Sequence, residues 1–268
     1  MKKKWNLYLT VGLLLTGLMV AIALLGKFWT PYVPTAMKYG RVQPPSLIHL
    51  FGTDNFGRDI FSRVLKGTGT TLGIAFSTVS IGAIAGTLVG AVTGYYGGWL
   101  DEALMRLNDA LTAFPSFLLA LLIVSLVGPG KKYSVVLALG LVFIPSFARV
   151  MRSEFRALRG RNFVTGARLM GAGDGRILLV HLLPNTLQVL LPAFTIGFNN
   201  AVLAEASLSF LGIGVTPPDA SLGYMLAEAQ SMLAAGPWYA LFTGFTIVLL
   251  VFGVRLLGEG LQQHAGDT

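Results

Sequence analysis

Basic, apolar and turn-forming residues meet in FVTGARLMGAGDGRILLVHLLPN, Phe163 to Asn185, and the chemistry they offer is docking rather than catalysis. Arg161, Arg168 and Arg176 can give charge-assisted hydrogen bonds to carboxylates on another surface. Phe163, Ala167 and Met170 recur at i, i+4 and i+7, which aligns them on one face of a helix. That helix is expected to start at Asn162 as N-cap and to stop at Gly171 in the left-handed conformation. Asp174 is expected to cap a second short helix, and Pro184 opens the next element. An amphipathic helix lying on lipid headgroups has the same composition, so these residues alone leave both readings open.

Residues able to carry a reaction are sparse. The three histidines, His49, His181 and His264, are scattered, and there is no H-E-x-x-H and no pair of aspartates inside an apolar run. Hydrolysis inside a membrane would need such a constellation, so an intramembrane enzyme is not the expectation. No G-x-x-x-x-G-K-[ST] occurs, and Gly171, Gly173 and Gly175 do not follow a strand as a phosphate loop requires. No nucleotide, cofactor or metal is therefore expected on this chain. His49, alone in a Pro-rich loop, reads as a surface residue.

The elements that position the loop follow from hydropathy. With 268 residues, 54% hydrophobic and 12% charged, the chain is too apolar for a soluble domain. Six charge-free runs can each cross roughly 30 Å of hydrocarbon as a helix, near Leu7–Gly26, Thr68–Gly97, Ala110–Gly130, Tyr133–Ala148, Leu182–Ala204 and Ala229–Val254. The expected fold is thus an all-α membrane protein of six transmembrane helices. Ala21-Ile22-Ala23 could mark signal cleavage, but the apolar run continues through Leu24 and Leu25, which favours an intact span. Lys2, Lys3 and Lys4 before the first span, and seven arginines from Arg149 to Arg176, predict cytoplasmic N- and C-termini and a cytoplasmic loop 149–181. Arg58, Arg63 and Lys66 argue the other way, in a segment long enough to weaken their vote.

Small residues organise the second span. Gly82, Gly86, Gly90 and Gly94 stand four apart, as do Gly69, Gly73 and Ser77, so each set shares a helix face and permits close backbone packing. Residues 1–66 read as an anchor helix plus an extracytoplasmic loop, and 67–268 as a five-helix core. A run from Glu205 to Met225, stopped by Pro217-Pro218, is too short to span and predicts a re-entrant or interfacial hairpin. An ion-coupled secondary transporter, the competing class, would bury ionisable groups in its spans. Glu205, Asp109 and His181 sit at predicted span ends, where capping or snorkelling accounts for them.

The order of residues in the basic loop resembles the cytoplasmic signature of permease subunits of binding-protein-dependent ABC importers: Glu-Ala-Ala, three residues, Gly, nine residues, Ile, one residue, Leu-Pro. Ala167, Gly171, Leu183 and Pro184 match, whereas Thr165 stands for the Glu, Gly166 for the first Ala and His181 for the Ile. Gly52-Thr53-Asp54 with Gly57-Arg58-Asp59, and Leu208 to Gly212 followed by Pro217-Pro218 and Leu222-Gly223, resemble the dipeptide, oligopeptide and nickel group, second and shorter permease type. The resemblance implies a type I importer permease fold in the cell membrane with a cytoplasmic coupling helix. It also implies a homologous second permease subunit, two ATP-binding subunits carrying ATP and Mg, an extracytoplasmic binding protein, and no nucleic acid. Phe163, Thr165, Gly166, Ala167, Arg168, Met170, Gly171, Asp174 and Arg176 are then expected to couple to the ATPases, and Gly171→Val to uncouple hydrolysis from transport in a folded chain.

Overall fold

The computed structural model describes residues 6–266, with side chains described to residue 263; Lys2, Lys3, Lys4 and the His264 side chain lie outside them. Helix α1 (Leu7–Phe28) is capped by the Asn6 side chain, and α2 (Ile60–Tyr96) by Asp59, whose carboxylate accepts from Ser62 N at 2.8 Å. Helices α3 (Gly98–Ala113), α4 (Ser116–Val127) and α5 (Lys132–Leu158) follow, then α6 (Asn162–Leu169) in the basic loop. Helix α7 (Asp174–Arg176), a π-helical stretch Ile177–Leu182 and α8 (Leu183–Phe210) run on without a break. A loop leads to α9 (Leu222–Gln230), and α10 (Pro237–Gly266) closes the chain.

Five helical segments are long and apolar enough to cross a membrane, and a bent pair makes a sixth. This corrects the expectation of a straight third span. Helices α3 and α4 meet at 89° because Pro115 has no N–H to donate and forces Phe114 out of helical geometry, to φ −83°, ψ 137°. The far end of the pair is tied to the opposite loop by a backbone bridge from Gly130 to Val215, and the adjoining Lys132 pairs with Asp219 at 2.8 Å. Gly12 abuts Leu257, Gly26 abuts Leu65, and Gly260 abuts Leu9, so both described chain ends share the end of the bundle that carries α6.

Helix α2 is the axis, and its second glycine ladder is the seam. A Cβ on Gly82, Gly86, Gly90 or Gly94 would come within 2.7, 2.5, 2.7 and 2.6 Å of Phe143, Phe147 and Arg152 on α5, distances that real Cβ atoms do not tolerate. The predicted small-residue face is thus filled by a helix of the same chain. The first set behaves differently: a Cβ on Gly73 meets nothing within 4 Å.

Residues 29–59 fold back over the ends of α2, α9 and α10. Asp54 accepts from Phe56 N and Arg58 N at 2.8 and 2.9 Å and from both guanidinium groups at 2.6 Å. Glu228 on α9 binds the same two guanidinium groups and Tyr239, so the buried Asp54, Arg58 and Arg63 and the partly buried Glu228 form a neutral cluster. Gly52-Thr53-Asp54 and Gly57-Arg58-Asp59 thus form a turn and the capped start of α2. His49 is not a surface residue as expected. It is buried between Tyr32 and Tyr39, with Nδ1 2.8 Å from Asp59 Oδ1.

Candidate functional site

The basic loop is a compact elbow at one end of the bundle. Its first helix is seated by Val164, buried among Tyr95, Met151, Phe155, Ile177 and Leu182, and by Ala167, also buried. Gly171 ends it at φ +84° with its N–H on Arg168 O, and Ala172 N bonds Ala167 O, so the left-handed stop is as the sequence indicated. The predicted caps are not. Arg161 occupies the N-cap without a side-chain bond, leaving Asn162 inside the helix, and Gly173 precedes α7, so Asp174 is its first residue rather than its cap. Valine at Gly171 is strained at that φ, so Gly171→Val perturbs the turn itself as well as any coupling through it.

Asp174 is instead held by Tyr95, the last buried residue of α2, whose hydroxyl donates to its Oδ1. Arg168 Nη2 donates to the same hydroxyl at 2.9 Å, a bond that raises its already high pKa, and Arg159 Nη1 donates to Tyr95 O at 2.8 Å. Tyr95 therefore pins the elbow to α2, a role that sequence reasoning missed. The signal was an aromatic pair, Tyr95-Tyr96, placed at the end of the glycine ladder and before Gly97-Gly98. Arg152 clamps Asp101 of α3 through Nε and Nη2, the latter at 2.6 Å, and so braces the foot of α5.

The apolar stripe splits between two faces. Ala167 turns inward, while Phe163, Leu169 and Met170 are 41%, 85% and 84% exposed, flanked by the exposed Thr165 and Arg168 and the half-buried Gly166. Among the described residues Arg161 and Arg176 have no carboxylate at ion-pair distance. The elbow thus presents two long, exposed apolar side chains and, in Arg161 and Arg176, two cations without an acid among the described residues. Behind it, Leu183 N reaches five residues back to Leu178 O, and Pro184, which cannot donate, follows at once.

The residues from 86 to 265, which include the elbow and the α2–α5 seam from Gly86 onward, match the family model described as binding-protein-dependent transport system inner membrane component. The chain belongs to that family of membrane permeases. It is 39% identical over 261 residues to the dipeptide transport system permease protein of Alkalihalophilus pseudofirmus, covering 97% of this chain and 85% of that one. It is 39% identical over 247 residues to the glutathione transport system permease protein of Pectobacterium atrosepticum, covering 91% and 82%. These relatives are permease components, not enzymes. A chain of the inward-facing MetNI methionine ABC transporter superposes with a TM-score of 0.58 over 75% of this chain and 95% of its own, at 21% identity, which supports the permease fold.

One further residue of this permease was misjudged. Glu205 is not at a span end, because α8 continues to Phe210 and buries it completely. Thr71 Oγ1 and Ser209 Oγ donate to its carboxyl oxygens at 3.1 and 2.7 Å. Thr71 Oγ1 also accepts from Leu222 N, and Ser209 Oγ from Val215 N. Glu205 is thus the knot that holds the loop 211–221 and α9 on the bundle, where capping or snorkelling was expected.

Proposed function

We propose that this permease is half of the translocation pathway of an ATP-driven importer of short peptides, paired with a homologous permease, two ATPases carrying ATP and Mg, and an extracytoplasmic binding protein. The elbow carries the reading. It offers exposed Leu169 and Met170 to a groove, and it is pinned through Tyr95 and Val164 to α2 and α5, so its displacement tilts those helices. Seven arginines at this end, against Arg58, Arg63 and Lys66 at the other, favour the cytoplasmic side for the elbow and both termini. Relatives bearing peptide and glutathione names favour peptides over nickel chelates as substrate.

The test is reconstitution of the chain with its partner subunits in proteoliposomes and uptake of a labelled dipeptide or tripeptide. Uptake should require ATP, the binding protein and ATPases that hydrolyse. Uptake that persists with hydrolysis-dead ATPases would instead make the chain a secondary transporter.

A further inference from the structure

We infer that a groove between α1, α2 and α5, at the end of the bundle away from the elbow, binds one anionic glycerophospholipid. The groove is about 460 Å³ and is walled by Ala23, Leu24, Gly69, Gly73, Ile74 and Val136. Lys27, Lys66 and Lys132 also line it. Lys27 closes α1, Lys66 lies in the second turn of α2, and Lys132 opens α5, so the three ammonium groups stand at one level. Lys132 is paired with Asp219, but among the described residues no carboxylate lies at ion-pair distance from Lys27 or Lys66. The mouth of the groove therefore carries two uncompensated positive charges.

Below that mouth the groove runs down the first glycine set to Ser77. Ser77 stands about 16 Å beyond Lys66 at 1.5 Å per residue, the depth of one leaflet in a hydrocarbon core of about 30 Å. At Gly73 the floor is open, since a Cβ there would meet nothing, whereas one on Gly69 would meet Ala23 O of α1 at 3.2 Å and the Gly82–Gly94 face is packed against α5. Among the described residues this chain offers no acid to a second helix that would cover Lys27 and Lys66. A small soluble anion would leave the apolar floor unfilled. A phospholipid satisfies both parts, its phosphate accepting from the lysines and an acyl chain lying over Gly69 and Gly73.

The site rests on this geometry and not on the transport reading; only its leaflet, the outer one, follows from the orientation proposed above. The full chain in mild detergent is titrated with dioleoylphosphatidylglycerol and, separately, with dioleoylphosphatidylcholine, and retained lipid is counted by native mass spectrometry. One phosphatidylglycerol should be held about thirtyfold more tightly than phosphatidylcholine, from two unpaired lysines. The double variant K27A/K66A should bring the two lipids to near parity, and Gly73→Leu should lower retention of both. Equal retention by the unaltered chain, or a preference that survives K27A/K66A, overturns the site. A cross-link from Gly73→Cys to the second permease in the assembled complex would also overturn it, by making the groove a subunit contact.

Discussion

Truncating Leu169 and Met170 together to alanine separates docking from folding. Both side chains are more than four-fifths exposed in the isolated chain, so their removal should change its stability by no more than about 0.5 kcal/mol. Burying a Leu or Met side chain in a groove contributes about 1.5–3 kcal/mol, most of which alanine forfeits, so the pair together should cost about 2–4 kcal/mol of ATPase binding. That is roughly a thirtyfold to thousandfold weaker dissociation constant. The assay is retention of the ATPase subunits on immobilised permease in detergent, read beside the melting temperature of the permease alone. Val164→Ala is the control: Val164 is buried against Phe155 and Met151, so it should lower the melting temperature first. If L169A/M170A binds the ATPases as tightly as the unaltered chain, the exposed face of α6 is not the docking face and the coupling argument fails.

Gly86→Ala should destabilise the permease by about 1–3 kcal/mol, since its new Cβ would sit 2.5 Å from Phe147 Cβ, whereas Gly73→Ala should leave thermal stability unchanged or raise it; denaturation of both variants in detergent checks the contrast. Glu205→Gln should preserve transport and stability because the amide oxygen still accepts from Thr71 or Ser209, while Glu205→Leu leaves buried hydroxyls without their acceptor, at about 1–3 kcal/mol, and should loosen the 211–221 loop toward proteolysis. Arg63→Ala removes a cation shared by Asp54 and Glu228 and should cost about 3–5 kcal/mol, seen as a lower inactivation temperature of the complex.

Apolar length and glycine spacing made most of the fold legible, because both express local rules. Five spans and the Gly82–Gly94 packing face follow from residues within one helix. Non-local partners decided the rest. Pro115 bends α3 from α4 within a run whose hydropathy looks continuous, and Glu205 is buried because α8 runs on to Phe210 and Thr71, 134 residues away, meets it there. In the elbow, Gly171 could be placed from its backbone preference, but Asp174 was drawn off its capping role by Tyr95. The stripe of Phe163, Ala167 and Met170 has the right period. Which side of it faces home was set by Val164, whose partners lie on α2, α5 and the π-helical stretch.

The glycine seam has a mechanical corollary. Four close approaches to α5 between Gly82 and Gly94 leave that part of α2, about 18 Å long at 1.5 Å per residue, little freedom to flex. A push at Tyr95 would therefore carry the packed α2–α5 pair as one unit and not α2 alone.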